Sequence, residues 1–112
     1  MKKIEALIKP YKLEDVKNAL NEVGVEGMTI SEVKGFCKQK GGGQSYLGME
    51  NKIDFVPKIK LELVLVDSLV ELASKVIIKS AKTGKIGDGK IFILPLEEAV
   101  HIRTGATGES AV

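Results

Sequence analysis

The chain has no tryptophan, one cysteine and one histidine. With Cys37 as its only thiol, it cannot form an intrachain disulfide, and a single histidine beside it leaves no Cys/His set able to hold zinc. Long apolar runs are also missing. Nothing approaches the ~20 residues of a membrane-spanning helix, and Lys2, Lys3 and Glu5 break up the first residues, where a secretory signal needs an apolar stretch. The expected compartment is the cytoplasm. Aromatic residues make up 4% of the chain, which argues against a sheet that stacks nucleic-acid bases. The net charge of +2 is too small for a nucleic-acid coat.

What remains is ordinary globular material: 112 residues, 44% apolar and 29% charged. Residues 1–112 are read as one domain, long enough to build a core without disulfides or metals. Glycine and lysine are gathered in two places. The first is Thr83-Gly84-Lys85-Ile86-Gly87-Asp88-Gly89-Lys90, running into the apolar Ile91-Phe92-Ile93-Leu94. Glycines let a backbone adopt positive φ and bring N–H groups close to an anion, and lysine adds a mobile charge. The stretch from about 82 to 90 therefore reads as a phosphate cradle. It is not a Walker loop, because Lys90 is followed by Ile91 and a strand pattern rather than by Ser or Thr and a helix. The plainer alternative is a tight turn, with Gly84 capping a helix and Gly87-Asp88-Gly89 as turn residues. The second place is the segment from Lys34 to Lys60, which carries +4 against +2 for the whole chain. Such a patch suits a small anion or an acidic partner surface; a solvated lysine-rich loop reads the same way.

In chain order, Ile4, Ala6 and Ile8 fall on one face and Lys3, Glu5 and Leu7 on the other, predicting a half-buried strand over residues 3–8 that Pro10 ends. Leu13, Val16, Ala19, Leu20 and Val23 recur at helical spacing, closed by Gly24. Met28 to Phe36 reads as a second strand, with Glu32 marking a bulge or a wet end. From about Cys37 to Phe55 no period survives, and Gly41-Gly42-Gly43 predicts a long flexible loop. Ile59, Leu61, Leu63 and Leu65 give the clearest strand. Ser68-Leu69-Val70-Glu71 reads as a capping box opening a helix with the apolar face Leu69, Leu72, Ala73, Val76 and Ile77. Strands are expected again from Lys90 to Leu94 and, briefly, around Val100 to Ile102, followed by a mobile tail. The order predicts an α+β fold: a ferredoxin-like βαββαβ sandwich with an antiparallel sheet and two helices on one face. Its other face, carrying Leu7, Val64, Val66 and Phe92, predicts self-association.

The blocks Glu32-Val33-Lys34-Gly35-Phe36, Gln39-Lys40-Gly41, Asp54-Phe55-Val56-Pro57-Lys58, Thr83 to Phe92 and Ile102-Arg103-Thr104-Gly105 resemble, in this order, the PII nitrogen-regulatory signalling proteins over nearly the whole chain. The resemblance implies a homotrimer of ferredoxin-like subunits in which ATP and ADP compete for clefts between subunits. It implies 2-oxoglutarate beside ATP and Mg²⁺, and a long loop that docks onto an ammonium transporter, a metabolic enzyme or another regulator. Carried over residue by residue, Gly87, Asp88, Gly89 and Lys90 would meet the phosphates, with His101 and Arg103 joining from a neighbouring subunit. Thr29, Gly35, Phe36 and Val64 match positions around the base and ribose, with Cys37 and Lys38 beside them. Gln39 matches the Mg²⁺-linked position. Gln39, Lys40, Gly41 and Lys58 match the 2-oxoglutarate site, with Lys58 as the carboxylate partner. Gly43, Tyr46, Leu47, Met49 and Asn51 fall in the partner-binding loop (about 37–55), and the C-terminal segment is about 101–112.

Four departures from the family pattern stand out. The loop reads Tyr46-Leu47-Gly48-Met49-Glu50-Asn51 where the family often has Tyr-Arg-Gly-Ala-Glu-Tyr, so the position uridylylated in many bacteria is Asn51 and has no phenol. Cys37 stands for a usual glycine, and Lys38 and His101 for usual arginines. These define a second expectation: a divergent adenine-nucleotide-binding regulator that has lost 2-oxoglutarate sensing and controls another transporter or enzyme. An ATP-hydrolysing enzyme is not expected, since Asp88 is the only evident base near the cradle and suits a turn better.

Overall fold

A computed structural model describes residues 1–38 and 53–112, with residues 37, 38, 53 and 54 described by backbone alone. Four strands and two helices follow in the order β1 (Lys2–Ile8), α1 (Leu13–Glu22), β2 (Thr29–Lys38), β3 (Ile53–Leu65), α2 (Asp67–Ala81) and β4 (Lys90–Pro95). A 3-10 turn, Pro10–Lys12, joins β1 to α1, and another, Gly108–Ala111, follows β4 at a distance. Pro10 sits in the first turn of its element, where its missing N–H is no loss. Gly24 follows α1 with φ +93°.

The sheet order is β2-β3-β1-β4, and every neighbouring pair is antiparallel. This is the ferredoxin-like βαββαβ arrangement. Strand alternation turns Ile4, Ala6, Ile8, Leu61, Leu63 and Leu65 towards the helices, where all are buried. Val16 and Leu20 of α1 and Val70, Ala73, Ile77 and Ala81 of α2 close the core from the other side. Both helices lie on one sheet face, as the apolar periodicity requires.

Several local expectations are corrected. The helix α2 starts at Asp67 behind Val66 and has no side-chain cap, so Ser68-Leu69-Val70-Glu71 is not a capping box. Asp67 instead pairs with the Met1 ammonium at 2.9 Å. With that start, the buried row of α2 is 70-73-77-81; Leu69 and Val76 are half-buried at its margins, and Leu72 turns outward. The helix ends at Ala81, three residues before Gly84. The register of β2 with β3 is continuous from Thr29–Glu62 to Lys38–Ile53, so Glu32 marks no bulge. Both strands also enter the stretch that the sequence reads as loop. The short fifth strand shrinks to a single bridge, Val100 to Thr107. The tail is tied down by bonds such as Gly108 N–H to Ala99 O at 3.0 Å.

The sheet face away from the helices is more polar than its apolar residues suggested. Lys3 pairs with Glu62 at 2.8 Å and Glu5 at 3.1 Å, and Lys60 with Glu62 at 3.6 Å. The Lys3 hydrogen bond holds the Glu62 carboxyl below its ordinary range, and Glu62 raises Lys3 in turn. Leu7 and Val64 flank this ladder half-buried, while Phe92 is exposed. Val66 lies outside it, because β3 stops at Leu65.

The buried row of α2 sets a stability contrast. Ile77→Ala removes a fully enclosed side chain and should cost about 2–5 kcal/mol in urea unfolding. Leu72→Ala, on the outer side, should cost roughly 0.5 kcal/mol or less. Equal losses at the two positions would contradict this placement.

Candidate functional site

Beyond α2 the chain must turn from a helix on one side of the sheet into an edge strand. Lys82 is already extended, and residues 83–89 make the turn. One carboxylate organises it. Asp88 Oδ2 accepts the backbone N–H groups of Thr83 and Gly84, each at 2.9 Å. Asp88 Oδ1 accepts the Thr83 hydroxyl and pairs with Lys9 Nζ at 3.3 Å. Lys9 Nζ also donates to Thr83 Oγ1 at 3.1 Å, and that oxygen accepts the Lys85 N–H at 3.1 Å. The turn is thus closed into a ring, with the Asp88 side chain as its cross-brace.

Glycine is required at two points of the ring. Gly87 has φ +97° and Gly89 φ +105°, a region that side chains avoid. At Gly89 the constraint is absolute, because a Cβ there would lie 1.7 Å from the Leu7 carbonyl oxygen. The turn therefore packs directly onto the end of β1.

The sheet register explains which lysines gather here. Leu7 pairs with both Lys60 and Lys90, and one step past Ile8 the same registers set Lys9 between Lys58 and Asp88. Lys58 Nζ donates to the Gly87 carbonyl. A Cβ on Gly87 would meet Lys58 Nζ and Lys9 Cε, each at 3.6 Å. By strand parity Lys9, Lys58, Asp88 and Lys90 share the sheet face away from the helices. Among the described residues, the N–H groups of Gly87 and Asp88 have no acceptor. Backbone N–H groups without an acceptor beside lysine ammoniums can receive an anion. A groove of about 360 Å³ lies alongside, between β1, the end of α2 and residues 88–91, walled by Ile8, Ile77, Ala81 and Lys90.

The Thr83 hydroxyl is the largest influence holding the Asp88 carboxyl well below the usual carboxylate range, with the Thr83 and Gly84 amides and Lys9 adding to it. A carboxylate so engaged is a weak base. It anchors the turn.

The structure divides the sequence-predicted residues into groups. Gly35, Lys58, Gly87, Asp88, Gly89 and Lys90 come together; Lys58 Cγ lies 3.5 Å from where a Gly35 Cβ would be. Phe36 does not join them, because parity sends it to the opposite sheet face, where it packs on Phe55 with ring centroids 5.7 Å apart. Thr29 and Val64 line a second groove, of about 590 Å³, at the other end of the β2–β3 ladder, with Glu62, Leu96, Ala111 and Val112. Thr29 lies four register steps from Val33, the partner of Lys58, or about 13 Å along the strand. His101 and Arg103 sit on a turn closed by His101 N–H to Ala106 O at 2.8 Å and Gly105 N–H to His101 O at 2.7 Å. Cys37 and Lys38 are placed by backbone only, opposite Asp54 and Ile53. Gln39, Lys40, Gly41, Gly43, Tyr46, Leu47, Met49 and Asn51 lie outside the described residues.

Sequence reasoning missed Lys9 and the bracing role of Thr83. Lys9 is 79 positions from Asp88, and only the sheet register brings them together. For Asp88→Ala we expect amide exchange at Thr83 and Gly84 to quicken by roughly tenfold or more, read by hydrogen-exchange mass spectrometry. The folded pKa of Asp88 lies below the unfolded ~3.9. Its stabilisation is therefore present above that value and lost only as pH falls through the lower, folded value. Opening of the turn already near pH 5 would contradict the anchoring role.

The family described as "Nitrogen regulatory protein P-II" matches residues 1–106. The chain is 57% identical to the nitrogen regulatory protein P-II of Azospirillum brasilense and 56% identical to that of Cereibacter sphaeroides. In both cases the match runs over 112 residues, all of each chain. Its fold matches the crystal structure of Arabidopsis thaliana PII bound to citrate with a TM-score of 0.81 at 39% identity, covering 99% of this chain and 91% of that one. A family match across the described turn, sheet and helices, with relatives identical at more than half of all positions, leads to one conclusion: the chain belongs to the nitrogen regulatory protein P-II family.

Proposed function

We propose that this chain is a trimeric signalling protein that binds ATP or ADP, and 2-oxoglutarate with Mg²⁺, and passes the signal to a nitrogen-assimilation target through the segment around residues 39–52. The observation that carries this reading is the convergence on one loop of Gly87, Gly89, Lys90 and Lys58, with the N–H groups of Gly87 and Asp88 lacking an acceptor among the described residues. That chemistry suits an oligophosphate: backbone donors fixed in place and cations on flexible stems. The residues fit the nucleotide's charged tail. Thr29 and Val64, in the second groove, fit its base. One chain holds these two ends apart on its sheet, the loop leading into edge strand β4 and Thr29 lying on edge strand β2. A cleft between copies brings the edges of neighbouring chains together, which favours the trimer over a monomer. Mg²⁺ is a hard cation that takes ligand and amide oxygens, and Gln39 is its proposed protein contact. Asn51 has no phenol, so the proposal includes no uridylylation at that position. The chain is proposed to act as a regulator, with Asp88 used for bracing.

The test is calorimetry with ATP and ADP, with and without Mg²⁺ and 2-oxoglutarate. Micromolar or tighter ATP binding, made tighter by 2-oxoglutarate, supports the proposal; no adenylate binding removes it. Binding of ATP without any 2-oxoglutarate effect selects the divergent regulator instead. Lys90→Ala should weaken ATP by about 1–3 kcal/mol, the size of a charged hydrogen bond, and an unchanged affinity would remove the cradle assignment. Lys58→Ala should abolish the 2-oxoglutarate effect while the fold is kept, because its Cα pairs normally with Val33. A surviving effect would place that site elsewhere.

A further inference from the structure

The second groove has a wall built from the C-terminal residues Ala111 and Val112. Residues 99–108 form a small hairpin, with Val100 bridged to Thr107. Its tip closes on itself through His101 N–H to Ala106 O and Gly105 N–H to His101 O. Its two legs are joined at the base by one side-chain oxygen. Glu98 Oε1 accepts the Gly108 N–H at 2.8 Å and the Ala99 N–H at 3.0 Å. The same Gly108 N–H reaches the Ala99 carbonyl at 3.0 Å, and Gly108 has φ +67°. From this point the chain makes its 3-10 turn, Gly108–Ala111, and lays Ala111 and Val112 along the groove that also contains Thr29 and Val64. Val112 further borders an adjoining groove with Val25, Gly27 and Leu69, so it stands as a partition between the two. With this wall in place the larger groove still measures about 590 Å³, room for a flat heterocycle.

We propose that Glu98 is a positioning residue for the base end of the nucleotide groove. It holds residues 108–112 as the wall facing Thr29 and Val64, and touches no ligand itself. This rests on the adenine-nucleotide reading above. A carboxylate that accepts two backbone N–H groups fixes the direction in which the chain leaves Gly108. Without it, Gly108 keeps only its shared bond to Ala99, and the wall loses its anchor. The tip that carries His101 and Arg103 has its own backbone bonds and stays in place. The loop at 83–89 is braced by Asp88 and does not depend on Glu98. Loss of Glu98 is therefore felt at the base end and not at the phosphate end.

The experiment compares ATP with inorganic tripolyphosphate, which lacks the base, on the full chain and on the variants Glu98→Ala and Glu98→Gln. Glu98→Ala should weaken ATP about tenfold, the scale of one or two lost hydrogen bonds, and leave tripolyphosphate unchanged. Glu98→Gln keeps an acceptor oxygen and should recover most of the affinity. Unaltered ATP binding by Glu98→Ala overturns the proposal. So does an equal loss for tripolyphosphate, which would mean the phosphate end moved, and so does a Gln variant no better than Ala. Hydrogen exchange at the Gly108 amide gives a second readout that needs no nucleotide. It should quicken in Glu98→Ala and not in Glu98→Gln, and no change overturns the latch. If the unaltered chain binds neither probe, the functional reading fails, while the amide exchange still decides the latch.

Discussion

The site depends on one carboxylate, Asp88, seated at the end of a sheet. Its two oxygens gather the start of the turn, the Thr83 hydroxyl and the Lys9 ammonium, so residues 83–89, between a helix and an edge strand, keep one shape. That shape makes the glycines necessary. Gly89 lies against the Leu7 carbonyl, and Gly87 offers its carbonyl to Lys58. The sheet supplies the rest. Lys9, Lys58 and Asp88 come from three different strands or their ends, and they meet because the antiparallel registers of β1 with β3 and with β4 continue one step past Ile8.

The same ladder offers a route from the site to the segment between β2 and β3. Lys58 pairs with Val33, Val56 with Gly35 and Asp54 with Cys37, in unbroken register out to Ile53 and Lys38. Beyond Ile59 this is a two-stranded ribbon, since β1 ends at Ile8.

Much of the fold was legible because its signals are local. Alternation in Ile4-Ala6-Ile8 and in Leu61-Leu63-Leu65 named the inward face of both central strands, and helical spacing named Val16 and Leu20. The errors also have physical causes. Leu72 and Val70 are equally apolar, and only the true start of α2 at Asp67 decides which of them faces the sheet. The strands β2 and β3 run further than predicted because backbone pairing in a ribbon tolerates Lys, Gly and Asp that carry no strand signal. The glycine-lysine loop was recognisable from composition, and Lys58 and Gly87 do lie together. Lys9 and Glu98 were silent. Lysine and glutamate are ordinary surface residues, and their partners, Asp88 and Gly108, are settled by register and by chain reversal, which residue types do not record.

On the proposed reading a nucleotide is gripped at a seam between copies, its charged tail held by the 87–90 loop of one copy and by Arg103 of its neighbour. Subunit mixing tests this most directly. Lys90→Ala and Arg103→Ala chains, each purified alone, should bind ATP poorly. When the two are unfolded together and refolded, some seams should combine an intact Lys90 from one chain with an intact Arg103 from the other. The account predicts that calorimetry on the mixture recovers a fraction of sites with the affinity of the unaltered protein. A mixture that binds no better than its two parents, in assemblies confirmed by native mass spectrometry to contain both chains, would contradict it.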